Sequence, residues 1–157
     1  MTKIALITGA TSGIGKATAE ILAKNNYKLV LCGRRQDRLD ELQKTLSKFT
    51  STHTLLFDVR DKESVFEQIS SLPETFSAID ILINNVGIFE LKDFETIEDE
   101  DWYRIFDINV MSGVRLSKKL LPPMLQKKSG RIIFISSESG VNIPGNMFHY
   151  GMTKAAM

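Results

Sequence analysis

Tyr150 and Lys154 stand four residues apart, and Ser137 precedes the tyrosine by thirteen. A phenol with an ordinary pKa of about 10 is a poor base at neutral pH. A neighbouring ammonium favours the phenolate and lowers that pKa. At i and i+4 the two side chains share one face of a helix, so each can act on the other. A hydroxyl such as that of Ser137 can hold a carbonyl oxygen while the tyrosine gives it a proton. That arrangement suits hydride transfer, in which a cofactor supplies the hydride and the protein supplies position and a proton. A bare Y-x-x-x-K pattern is common by chance on helix surfaces. It gains weight from the serine on the preceding apolar run and from a second pattern near the N-terminus.

That second pattern is Thr8-Gly9-Ala10-Thr11-Ser12-Gly13-Ile14-Gly15. It follows a short apolar run and opens an amphipathic stretch, the setting in which a glycine pattern points to a ligand. Gly9, Gly13 and Gly15 let the backbone turn tightly and approach a ligand without Cβ clashes. The N–H groups of Thr11, Ser12, Gly13 and Ile14 then lie at a helix start, where an anion is favoured. A glycine-rich turn without a ligand is the plainer alternative.

Asp58 is expected at the end of the third strand, where it can accept a hydrogen bond from an adenine amino group. It can equally cap the helical stretch that starts at Asp61. The end of the second strand bears on cofactor choice. An acidic residue there would hold a ribose 2′-hydroxyl and repel a 2′-phosphate. This chain has Cys32-Gly33-Arg34-Arg35 instead. A guanidinium grips phosphate through forked, charge-assisted hydrogen bonds. NADP(H) is therefore expected over NAD(H), and a solvated arginine pair is the alternative.

These groups need a scaffold. Apolar runs at Ile4–Thr8, Lys28–Cys32, Thr54–Phe57, Ile79–Ile83 and Arg131–Ser136 read as buried strands. Between them, Ile14, Ala17, Thr18, Ile21 and Leu22 share a helical face, with Asn25-Asn26 ending that helix. Leu39, Leu42, Leu46 and Phe49, and then Val65, Ile69 and Leu72, repeat at helical spacing. A long helical region runs from about Glu100 to Gln126, and Pro122-Pro123 should kink or end it. Another helix should begin near Tyr150. Strand–helix alternation with apolar strands gives a doubly wound parallel α/β sheet. The expected strand order is 3-2-1-4-5, with the ligand crevice between the first and fourth strands, where the winding reverses.

The chain has 157 residues, enough for one domain with one sizeable core. Its net charge of +1 supplies no field that favours nucleic acid or an acidic membrane. No apolar stretch reaches the length of a membrane span. The N-terminal run is too short for a signal-peptide core. The single cysteine, Cys32, reads as a small core residue and allows no disulfide within the chain, so a cytoplasmic location is expected. Ligand-type residues show no metal spacing. His149 is expected to touch substrate or solvent, and His53 to lie on the surface. The carboxylates of Glu95, Glu98, Asp99, Glu100 and Asp101 suit the positive end of a helix. Ser136 competes with Ser137, because neighbours on a strand point to opposite faces.

Taken together these motifs resemble the short-chain dehydrogenase/reductase family, over the whole chain and through the Y-x-x-x-K motif. Thr8–Gly15 matches its T-G-x-x-x-G-x-G, and Asp58-Val59 its adenine-side acidic position. Asn84-Asn85-Val86-Gly87 is similar to its N-N-A-G, with valine for alanine. Asn109, Ser137, Tyr150 and Lys154 match its catalytic tetrad in order and spacing, and that spacing favours Ser137 over Ser136. The resemblance implies a Rossmann-type fold and NAD(P)-linked interconversion of ketones or aldehydes with alcohols. It implies cofactor contacts from Asn85, Gly87, Tyr150 and Lys154, with the lysine on the nicotinamide ribose and Asn109 supporting a water-linked proton path. It also implies a homodimer or homotetramer when complete.

Family members run to roughly 250 residues. The resemblance therefore implies that residues 1–157 are a single NAD(P)-binding domain truncated at its C-terminus, with two further strands and the loop covering the substrate missing. Little turnover is expected from the chain as it stands. A nucleotide-binding fragment without turnover and a non-catalytic interaction module are the alternatives. The intact tetrad argues against the module.

Overall fold

A strand that is apolar on both faces must lie inside a sheet that is covered on both sides. The computed structural model, which describes residues 2–157, puts Ile4–Thr8 in that position as β1, buried along its whole length. It pairs in parallel with β2 (Lys28–Gly33) on one side and β4 (Ile81–Asn84) on the other. β3 (Thr52–Leu56) adds outside β2, and β5 (Arg131–Phe134) outside β4. The order β3-β2-β1-β4-β5 is the one expected.

Alternate residues of each strand feed two apolar layers. Ala5, Ile7, Leu29 and Leu31 pack with α1 (Gly13–Lys24) and α2 (Gln36–Leu46). Ile4, Leu6, Val30 and Leu82 pack with α3 (Lys62–Ser70) and, through Leu116, Leu120 and Met124, with α6 (Ser112–Gln126). A four-residue helix, α4 (Glu74–Ser77), precedes β4, and α5 (Asp99–Phe106) leads to α6. α7 (Phe148–Ala156) carries the tyrosine. Cys32 is buried in the core.

Several elements depart from the sequence expectation. β3 starts two residues early and β4 two residues late, and β5 stops at Phe134, before the serines. The buried face of α1 is Gly15, Ala19 and Ala23, whereas Ile14 and Ile21 are exposed. Small residues let this helix approach β1 and β2 closely, and large apolar residues elsewhere on its surface masked that face. Phe49 lies beyond the end of α2 and is exposed. The long helical region is interrupted, since Asp107–Met111 forms a π-helical turn between α5 and α6. The proline pair does not end α6, which continues through it to Gln126. The lost N–H groups release only the carbonyls of Lys118 and Lys119, near the end of the helix.

Candidate active site

The glycine loop occupies the bend between β1 and α1. Gly9 and Gly13 have φ of +62° and +51°, a region that L side chains rarely adopt. A Cβ on Gly15 would lie 2.3 Å from the Gly9 carbonyl oxygen, so α1 can begin this close to β1 only with glycine there. Beyond Gly13 the space is open for 4 Å. Ser12 occupies the N-cap of α1 without a side-chain capping bond, and the first turn has no acidic residue. The helix start is thus free to take an anion. Thr8 ties the bend to β4: its Oγ1 accepts from the N–H groups of Asn85 (3.0 Å) and Val86 (3.2 Å). Asn85 in turn donates its Nδ2 to the carbonyls of Thr8 (3.0 Å) and Gly9 (3.3 Å).

A cleft of about 770 Å³ opens over this bend, at the C-terminal ends of the strands. Its walls include Gly9, Thr11, Ser12, Gly13 and Ile14, the β2 end with Arg34 and Arg35, Asp58 and Val59 after β3, and Asn85 and Gly87 after β4. It lies where the sheet reverses its winding, a place where doubly wound sheets hold ligands. Open space at Gly13, an uncapped helix start and two guanidinium groups suit a dinucleotide phosphate. Asp58 does not cap α3. That role falls to Asp61, which accepts from the Ser64 N–H at 3.0 Å. Asp58 instead pairs with Arg60 and, at 3.5 Å, with Arg34. Hydrogen bonds from Arg60 hold its carboxyl down at about 2.

Gly87, Asn109 and Lys154 converge at the other end of the cleft. A Cβ on Gly87 would lie 3.4 Å from the Lys154 Nζ and 3.6 Å from the Asn109 Oδ1. Lys154 is buried and donates to the Ile135 carbonyl at 2.8 Å. Burial lowers its pKa. Its Nζ stands 5.6 Å from the centroid of the Tyr150 ring, as the i, i+4 spacing requires. Asn109 sits in the π-helical turn with its amide fully engaged. It accepts from the Ile88 N–H (2.8 Å) and donates to the Ile88 carbonyl and to Thr153 Oγ1 (both 2.9 Å). Thr153 Oγ1 donates to the Tyr150 carbonyl at 2.7 Å, which links the asparagine to the tyrosine helix.

The serines are separated by their partners rather than by strand alternation. Ser136 Oγ donates to the Lys154 carbonyl (2.9 Å), so it anchors α7. Ser137 Oγ caps a 3-10 turn over Glu138–Gly140, accepting from the Ser139 N–H at 3.2 Å, and its proton stays unclaimed. No hydrogen bond joins Ser137 to Tyr150 among the described residues. The Phe89 ring stands edge-on to that of Tyr150, with centroids 6.0 Å apart.

His149 touches neither solvent nor the cleft. It is fully buried, edge-on to Trp102 at 5.9 Å, and neither ring nitrogen has a hydrogen-bond partner among the described residues. His53 is half-buried on β3 against Phe76. Both expectations came from treating isolated histidines as polar, whereas packing dominates here. The carboxylate cluster behaves as expected: Glu98 and Asp101 form a reciprocal cap at the start of α5. Sequence reasoning missed Arg60, Arg115 and Thr153. Arg115 donates to the Val59 carbonyl and pairs with Asp107, so it steadies the cleft wall from α6. No motif marks these residues. Only the fold brings them to the site.

The short-chain dehydrogenase family model matches residues 3–157. The chain belongs to this family. It is 43% identical over 155 residues to the oxidoreductase YvrD of Bacillus subtilis (strain 168), covering 99% of this chain and 59% of that one. Among solved structures, L-sorbose reductase from Gluconobacter frateurii, in complex with NADPH and L-sorbose, superposes with a TM-score of 0.93. The identity is 36%, over 99% of this chain and 60% of that one. NAD+-bound xylitol dehydrogenase superposes with a TM-score of 0.92 at 29% identity, over 98% and 60%. The chain thus spans about three-fifths of the length of these relatives. Among the described residues no helix is long and apolar enough to cross a membrane.

Proposed function

We propose that this chain carries the cofactor site and reacting groups of an NADP(H)-linked oxidoreductase that interconverts a small ketone or aldehyde with its alcohol. The observation that carries the reading is the meeting of Gly87, Asn109 and Lys154 at the end of the glycine cleft, with Tyr150 one helical turn from the lysine. The cleft residues would hold NADPH, which in the reductive direction would supply the hydride for the carbonyl carbon. Tyr150 gives its phenolic proton to the carbonyl oxygen, and the Lys154 ammonium stabilises the phenolate left behind. Ser137 donates a hydrogen bond to that same oxygen through its free O–H and fixes its direction. Asn109 holds the backbone at Ile88 beneath the reacting groups and keeps α7 in register through Thr153, so its side chain positions rather than reacts.

Arg34 and Arg35 face the ribose end of the cleft, and no acidic residue ends β2, which supports NADP(H) over NAD(H). Among the relatives, one solved structure holds NADPH and another NAD+. Arg34→Ala should weaken NADPH by about 1.5–3 kcal/mol, the range for a lost charged hydrogen bond, and NADH by much less. Equal losses would refute the preference. The complete protein is proposed to assemble as a homodimer or homotetramer, which light scattering would test.

Tyr150→Phe removes one hydroxyl and leaves α7 intact. In the active enzyme it should cut turnover by roughly 10²–10⁴-fold, the usual contribution of a positioned acid–base group, while NADPH affinity stays nearly constant. Retained turnover would remove Tyr150 from the mechanism. A second reading, nucleotide binding without turnover, draws support from the cleft wall, which includes the glycine loop, Arg34 and Asp58 but none of Asn109, Ser137, Tyr150 and Lys154. NADPH binding with no reduction of any carbonyl by the 157-residue chain is the outcome expected under that reading.

A further inference from the structure

Asp58 lines the same cleft as Arg34 and Arg35. A bare carboxylate there would repel a 2′-phosphate and would compete with it for Arg34. In the structure the carboxylate is not bare. Arg60 donates its backbone N–H to Oδ1 (2.9 Å), its Nε to both oxygens (3.1 and 3.2 Å) and its Nη2 to Oδ2 (2.8 Å). Arg34 makes only a looser contact, 3.5 Å from Oδ2. Arg60 itself is not part of the cleft wall. It approaches the carboxylate from outside.

We propose that Arg60 is a cofactor-specificity residue: by neutralising Asp58 from behind, it leaves Arg34 free to turn to a 2′-phosphate and so tilts the cleft toward NADP(H). The proposal rests on reading this cleft as a nicotinamide dinucleotide site. When a 2′-phosphate enters, Arg34 exchanges its long contact with Asp58 for a charge-assisted one with phosphate. With Arg60 in place, the carboxylate keeps its full set of donors through this exchange. Without Arg60, Arg34 would abandon an uncompensated carboxylate beside a phosphate dianion. NADH brings no such charge, so it has no need of Arg60. The carboxylate still has lone pairs to offer an adenine amino group.

The Arg60 side chain is not needed to build the turn. The backbone bond from Asp61 N–H to the Asp58 carbonyl (3.0 Å) closes it, and Asp61 caps α3. Arg60→Gln should therefore fold normally. The test measures dissociation constants of NADPH and NADH for the wild type, Arg60→Gln, Asp58→Asn and the double variant. Adenosine 2′,5′-bisphosphate and ADP serve as fragments that isolate the ribose end.

Arg60→Gln should weaken NADPH and adenosine 2′,5′-bisphosphate by about 5- to 30-fold, the scale of one partly screened charge a few ångströms away, and NADH and ADP by less than about twofold. Adding Asp58→Asn should recover most of the loss, because the repelling charge is gone. Equal weakening of both dinucleotides, no weakening, or no recovery in the double variant would each overturn the role of Arg60. A wild type that prefers NADH yet shows this shift and recovery would keep Arg60's role and sink only the proposed cofactor preference. A wild type that binds neither dinucleotide would sink the cleft reading and the Arg60 proposal together.

Discussion

At the glycine-loop end of the cleft the backbone does the shaping, while at the Tyr150 end side chains do it. The loop after β1 is held by Thr8 and Asn85, and Gly15 leaves α1 no room to move relative to Gly9. Around Tyr150 side chains make the ties: Asn109 holds Ile88 and Thr153, and Ser136 and Lys154 join α7 to the segment after β5. Electrostatics differ in the same sense. Asp58 is held in its charged form by guanidinium partners, whereas burial pushes Lys154 and His149 toward their neutral forms.

Gly15→Ala should have the largest effect. Its new methyl would meet the Gly9 carbonyl at 2.3 Å, and backbone on both sides cannot yield cheaply. A loss of about 3 kcal/mol or more is expected, at or above the upper range for overpacking. Gly13→Ala, in open space but at positive φ, should cost only about 1–2 kcal/mol. Urea titration of both variants checks the ranking. Similar midpoints would mean that close approach does not shape this bend.

The matching test at the reactive end is Asn109→Ala. It strands the N–H and carbonyl of Ile88 and the Thr153 hydroxyl, so about 2–4 kcal/mol should be lost. Thr153→Val removes one partner of the same network and should cost about 1–2 kcal/mol. Because the two share a hydrogen bond, the double variant should lose less than the sum. Additive losses, measured by the same titration, would show that Thr153 does not couple Asn109 to α7.

Much of the scaffold was legible in the sequence because apolar strands and glycine spacing follow from backbone physics. The strand order, the crevice beside β1 and the glycine cradle could all be anticipated. The inward face of α1 could not, since Gly15, Ala19 and Ala23 pack by being small and large apolar residues carry the visible periodicity. The π-helical turn at Asn109 was hidden inside what reads as one continuous helix. Arg60 and Thr153 act through partners that only the fold supplies. His149 was misread because a lone histidine in a sequence gives no sign of whether an aromatic neighbour will bury it.

Acid should probe the Asp58 end of the cleft. The Asp58 carboxyl is lowered from 3.8 to about 2, so the folded state favours its charged form. The resulting stability is present above the unfolded value and is lost as pH falls from about 4 through about 2. The group is partly exposed, so solvent screening keeps this term small. Asp58→Asn should reduce the slope of unfolding free energy against pH in that window. An unchanged slope would mean that Arg60 contributes no net stabilisation to the charged form.

The smallest effect is expected from His149, in a different pH window. Burial lowers its pKa from 6.5, and Glu90 and Asp101, which favour the charged ring, are themselves paired with Arg104, with Lys92 also on Asp101. The folded state therefore prefers the neutral ring. Between the lowered folded value and 6.5 the unfolded chain binds more protons than the folded one, so stability rises with pH across that interval. It falls as pH drops through 6.5 and levels off once the folded ring also protonates. His53 is shifted the same way by partial burial, so its contribution overlaps. His149→Phe keeps an aromatic ring against Trp102 and removes one titration. It should flatten part of the slope just below pH 6.5 in urea titrations, and His149→Phe with His53→Phe should flatten most of it. If the single variant leaves the slope unchanged, the ring beside Tyr150 is as easily protonated in the folded protein as in water, and burial against Trp102 does not favour its neutral form.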